Sequence, residues 1–171
     1  MVDEDIIFFR EQQKFDQLWL WLLVLLPVAI VWYGAIQQLV FGEAFGNNPT
    51  SDNGVLFLLV IFGVLLPVFM LSIRLITEVR SSGLYIRFYP FHLSFKKYQF
   101  ESIKSYEVCQ YNPLRDYGGW GIRFGPKGRA YNVSGNKGVL LEFRNGKKLM
   151  VGSQNPDELA AAISRGMGSF R

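Results

Sequence analysis

LWLWLLVLLPVAIVWYGAIQQLVF, residues 18–41, runs for 24 positions without a charged side chain. VLFLLVIFGVLLPVFMLSI, residues 55–73, adds 19 more. A bilayer core is roughly 30 Å thick and needs about 20 apolar helical residues to cross it. The two runs therefore predict a transmembrane helical hairpin over residues 18–76, with helices at about 18–41 and 55–76. Half of the 171 residues are hydrophobic, and their concentration in two blocks excludes a plain soluble chain and a disordered one. Cys109 is the only cysteine, which excludes a disulfide scaffold.

The first run is longer than the apolar core of a cleaved signal, which has about 7–15 residues, and no small-residue cleavage pattern follows it. It is expected to stay as an anchor. Pro27 and Pro67 fall inside the runs. Helices in lipid tolerate proline where a neighbour satisfies the freed carbonyl. The connector GEAFGNNPTSDNG, residues 42–54, contains no Lys or Arg, whereas Arg10 and Lys14 precede the hairpin and Arg74, Arg80 and Arg87 follow it. Basic flanks stay on the cytoplasmic side. The expectation is a multi-pass protein of the cell membrane with both termini cytoplasmic. Residues 1–17 then form an N-terminal cytoplasmic segment, and residues 77–171 a cytoplasmic domain with 15 basic and 7 acidic residues. A domain this basic is attracted to an anionic leaflet.

Beyond Arg74 the pattern changes to period 2, the mark of half-buried strands. Leu84, Ile86 and Phe88 alternate with Tyr85, Arg87 and Tyr89. After Pro90, Phe91, Leu93 and Phe95 alternate again with His92, Ser94 and Lys96. Strands are further expected at 77–80, 104–110, 120–125, 129–133, 139–143 and 149–151. Trp120 and Phe143 are expected in the core. Asn145-Gly146 predicts a two-residue hairpin of type I′. Asn155-Pro156-Asp157-Glu158 reads as a helix start, with Asn as cap and Pro in the first turn. Leu159, Ala162 and Ile163 form an apolar stripe, and Gly166 and Gly168 mark its end. The expected domain has seven or eight antiparallel strands and a C-terminal helix over one open end.

That order resembles the pleckstrin-homology (PH)-like fold, and specifically prokaryotic membrane-anchored PH-like proteins in which a transmembrane hairpin runs into the first strand. The resemblance is carried by TEVRSSGLYIR (residues 77–87), YGGWGIRFG (117–125), AYNVSG (130–135) and the ending from Val151-Gly152-Ser153 through Pro156-Asp157-Glu158-Leu159. It implies an α+β membrane protein: the helical hairpin plus a PH-like antiparallel β sandwich or barrel with a C-terminal helix. It also implies an interaction module without catalytic residues.

The residues themselves point the same way. Gly118, Gly119, Gly121, Gly125 and Gly128 lead into a strand, so no helix N-terminus is available for a phosphate cradle. His92 stands alone as a histidine and Cys109 as a cysteine, so no zinc set, no metal site and no cofactor is expected. The acidic residues show no pairing suited to acid–base chemistry, and the chain is expected not to be an enzyme. Lys96, Lys97, Arg123, Lys127 and Arg129, with Lys147-Lys148, sit at strand ends or turns. They are candidates for an anionic headgroup, which needs several donors converging on phosphate oxygens. Tyr85, Tyr89, Tyr111 and Tyr131 are candidates for protein contact, since exposed tyrosines are enriched at interfaces. The leading expectation is a docking or assembly module with a protein partner, and the alternative is binding of anionic lipid headgroups. No nucleic-acid partner is expected for a domain tethered by two membrane helices.

Overall fold

The computed structural model describes residues 5–168. Asp3, Glu4 and Arg171, which enter the charge count, lie outside them. The chain forms two compact units, one of residues 15–72 and the other built from the chain up to Lys14 and from Ile73 onward.

The helical unit contains α1 (Leu18–Val40) and α2 (Asp52–Ser72), each long and apolar enough to cross a membrane. The last turns of α1, Ile36–Val40, and the middle of α2, Leu59–Leu65, are wound as π-helix. Compared with the expected 55–76, α2 begins and ends earlier. Ser51 Oγ accepts the Gly54 N–H at 3.3 Å and starts the helix. Arg74 already belongs to a strand, so it does not extend the span. The two helices are tied side by side at a proline. Pro67 donates no N–H to the helix behind it. One turn before it, Trp32 Nε1 donates to the Gly63 carbonyl at 3.2 Å. At the connector end, Gln38 Nε2 donates to Thr50 O at 2.8 Å and to Asp52 Oδ1 at 2.9 Å.

The β unit holds two sheets, and neither closes into a barrel. The first has the order β1 (Ile7–Lys14), β2 (Arg74–Arg80), β3 (Gly83–Tyr89), β4 (Lys96–Tyr98), all antiparallel. The second has the order β5 (Ile103–Gln110), β8 (Lys137–Phe143), β9 (Lys148–Gly152), β7 (Gly128–Asn132), β6 (Gly121–Gly125). A short helix α3 (Pro113–Tyr117) lies between β5 and β6. The C-terminal helix α4 (Pro156–Gly168) packs against β1, β2, β5 and β8. It buries Leu159, Ala162 and Ile163, the expected stripe. Gly166 does not end α4 but lies inside it, where the Phe100 ring occupies the space a Cβ would need.

Several features depart from the reading of the sequence. The segment before α1 is not a separate tail: β1 pairs with β2 along its whole length, from Arg80 opposite Ile7 to Arg74 opposite Lys14. It escapes a hydrophobic pattern because two of its inward residues are polar. Buried Glu11 accepts from Ser153 Oγ at 2.6 Å and from Gln154 N at 2.7 Å. Gln13 Nε2 donates to Gly152 O at 2.8 Å. The sheets are not wholly antiparallel either, since β7 and β9 run parallel. Residues 133–136 carry the chain from β7 past one strand position into β8, and β9 then returns into the gap between them. The alternation over 91–95 is a loop. The His92 N–H donates to Phe88 O at 2.8 Å and turns the chain after Pro90.

The β8–β9 hairpin is also built differently. Type I′ needs φ > 0 at both central residues, and here only Gly146 has it, at 78°. Gly146 N bonds Phe143 O at 2.9 Å, and Phe143 N bonds Lys147 O at 2.9 Å, a type I turn followed by a left-handed glycine. Phe143 is buried as expected, whereas Trp120 is only half-buried and donates its Nε1 to Gly135 O at 3.2 Å.

Candidate functional site: a cationic groove

The β unit carries an open groove of about 1420 Å³ between β4, the β6–β7 turn and the β8–β9 turn. Lys97 enters it from β4, Lys127 and Arg129 from the β6–β7 hairpin, and Lys147 and Lys148 from the β8–β9 hairpin. Among the described residues its lining includes five cationic side chains and no carboxylate. Register explains why the two turns meet. Because β7 runs parallel to β9, with Arg129 opposite Leu149, the turns that enter these two strands lie at one end of the sheet.

Of the basic residues expected from sequence, the groove thus gathers Lys97, Lys127 and Arg129. Lys96 neighbours Lys97 on a strand, where successive side chains point to opposite faces, and it is not part of the lining. Arg123 turns back to donate its Nε to Trp120 O at 2.8 Å, also outside the lining. Lys147 and Lys148, named with them from the sequence, join the lining. The signal for them was present in the Asn-Gly turn followed by two lysines, but turn chemistry does not say which other turn lies alongside.

The cations differ in freedom. The Arg129 guanidinium lies 4.6 Å over the Phe124 ring, and its Nη1 donates to Tyr131 Oη at 3.3 Å. This holds its planar fork in place. Lys127 Nζ is 3.1 Å from Asp116 Oδ2. Asp116 is held below the usual carboxylate range by the Asn112 backbone N–H and then by Lys127. Lys147 and Lys148 are exposed. Tyr98, on the groove wall, packs on Phe143 at 5.6 Å. Burial, and then its hydrogen bond with Tyr131, push the Tyr98 hydroxyl well above the ordinary phenol range, so it stays a donor. Next to this cluster, His92 stands edge-on to Tyr131 at 5.5 Å. Its pKa is lowered by burial first and then by Lys96 and Arg129, so the imidazole senses the positive field.

The four tyrosines expected at a protein surface separate. Tyr85 is half-buried beneath Arg80, whose guanidinium lies 4.4 Å from its ring. Tyr89 is exposed. Tyr131 and Tyr111 are buried and offer no contact surface. Tyr131 lies on β7, an inner strand flanked by β9 and β6. Tyr111 packs edge-on against Tyr117 at 5.8 Å, in a cluster with Ala130 and Met150. Cys109 is half-buried, and burial followed by Glu107 pushes its thiol up, away from the reactive thiolate. Among the described residues no group of three or more His, Cys, Asp or Glu side chains is placed to hold a metal ion.

No curated protein and no solved structure matches the chain. Residues 2–170 match a family of unknown function (DUF6141), and the chain belongs to that family.

Proposed function

We propose that this protein is a membrane-anchored, non-enzymatic binding module whose PH-like β unit takes a phosphate-bearing anion, in the first place an anionic lipid headgroup, into the cationic groove. The observation that carries this reading is the convergence of Lys97, Lys127, Arg129, Lys147 and Lys148 on one groove whose described lining contains no carboxylate. An oriented arginine and a protonated tyrosine provide directed hydrogen bonds to phosphate oxygens, and the lysines add about 1 kcal/mol each near an anionic surface.

Anchoring by two membrane spans on the cytoplasmic side is supported by three facts. Both helices are apolar along their length and leave most of that surface uncovered. Core helices of a soluble protein would cover that surface. The connector lacks Lys and Arg. Finally, Lys14 pairs with Arg74, and two strands can pair across an inserted segment only if it crosses the bilayer an even number of times.

The test is calorimetric titration of the full chain in neutral-detergent micelles, with inorganic phosphate in one arm and with added phosphatidylglycerol or phosphatidylcholine in another. Lys97→Gln, Lys147→Gln and Lys148→Gln combined should weaken binding of the anionic probes at least tenfold at an unchanged melting temperature. Phosphatidylglycerol binding without phosphate binding would identify the headgroup as the source, and the reverse a free phosphate compound. Equal affinities for the chain and its triple variant would reject the groove.

A second reading, docking of a protein strand, is favoured by β5. It is an eight-residue outer strand bonded only to β8 in its sheet, with most side chains exposed. Such an edge accepts an added strand by backbone pairing.

A further inference from the structure

The loop of residues 90–95 joins β3 to β4 and carries two apolar side chains in the open: Phe91 is 60% exposed and Leu93 80%. Tyr89, just before it, is 37% exposed. The loop is not slack. The Phe91 ring packs on Phe88 with centroids 6.0 Å apart, and the His92 backbone is bonded to Phe88 O. The apolar tips are therefore held outward by ordered contacts at the loop's base.

The register says where this loop begins. Tyr89 is opposite Arg74, and Arg74 is opposite Lys14. Arg74 stands two residues after Ser72, the last residue of α2, and Lys14 four residues before Leu18, the first of α1. Neighbouring strands are about 4.8 Å apart, so the loop springs from the strand end at which the chain passes into both apolar helices, within about 10 Å across the sheet. The chemistry of that end is interfacial. The Arg74 guanidinium lies 5.9 Å from the Tyr89 ring centroid, and Lys14 stands opposite Arg74 on β1. Aromatic rings and basic side chains at the headgroup level are the usual anchors of spanning segments.

We propose that residues 90–95 form a third membrane contact, with Phe91 and Leu93 inserted into the lipid–water interface and Tyr89 and Arg74 at headgroup level. The occupant of this apolar surface is the lipid itself, because the same strand end continues into the helices. The inference rests on the reading of α1 and α2 as membrane spans.

Nitroxide labels on single cysteines, in a Cys109→Ser background, test it with the full chain in phosphatidylglycerol–phosphatidylcholine nanodiscs. Labels replace Leu93, Phe91, Leu26 in α1 and exposed Ser164 in α4. Collision with oxygen is compared with collision with a water-soluble nickel chelate. The expected result is an oxygen preference at 93 and 91 several-fold above that at 164, and below that at 26. An aqueous reading at both 93 and 91 with lipid immersion at 26 overturns the loop contact and leaves the spans standing. An aqueous reading at 26 as well overturns both.

Discussion

His92 reports on the groove at the scale of one residue. Its pKa in the folded chain lies below the ordinary imidazole value of about 6.5, because burial and then the cations Lys96 and Arg129 disfavour the imidazolium. The unfolded chain therefore binds more protons between the folded pKa and about 6.5, and stability rises with pH through that window. The contribution is fully present above about 6.5 and is lost as pH falls through the folded pKa. His92→Gln should flatten the dependence of melting temperature on pH between about 7 and 5. An unchanged slope would contradict the assignment. As the chain's single histidine, it also gives one unambiguous imidazole signal in NMR. Phosphate bound beside Arg129 should raise its pKa, and a titration curve that does not move on saturation with phosphate would argue against an anion at that end of the groove.

Among the elements, the Trp32–Gly63 bond is a side-chain tie between the two helices, one turn before Pro67. Inside a bilayer a carbonyl left without a backbone partner has no water to turn to. Trp32→Phe keeps the ring and removes the donor, and should destabilise the helix pair by about 1 kcal/mol. In a Pro67→Ala background the backbone N–H returns and the same replacement should cost less. The two costs, read from unfolding of the full chain in mixed micelles, form a double-mutant cycle. Equal costs would mean that the indole bond does not serve the proline. Legibility at this scale followed the contrast between faces. β3, β5, β7, β8 and β9 were readable because apolar and polar positions alternate or because turn residues bound them. The α4 helix was readable from its start signals and stripe. β1 was not, since Glu11 and Gln13 look like surface residues until Ser153, Gln154 and Gly152 are seen to receive them. The loop at 91–95 misled in the opposite sense: Phe91 and Leu93 alternate like a strand face but are left uncovered.

At the scale of the molecule, the β unit is one body interrupted by a helical insertion. A fragment of residues 77–171 removes β1 and the first three residues of β2, and with them the partners of Ser153 and Gln154. It should fail to melt cooperatively. Replacing residues 15–73 by Asn-Gly should instead join Lys14 to Arg74, already opposite one another, through a two-residue hairpin. That shortened chain should melt cooperatively, and the opposite ranking of the two would contradict a β unit completed by β1. The hairpin's apolarity and the connector's lack of basic residues were legible from sequence alone. The groove was not, because Lys97, Lys127 and Lys147 are far apart in the chain and meet only through the parallel pairing of β7 with β9 and the approach of β4.

The central claim is that two spans hold this β unit on the cytoplasmic face. It is tested most directly by single cysteines at Ser51 and Ser164 in the Cys109→Ser chain, exposed in intact cells to a membrane-impermeant thiol reagent. The account predicts labelling at 51, and at 164 only after the cells are opened. Labelling of 164 in intact cells, or protection of 51, would contradict it.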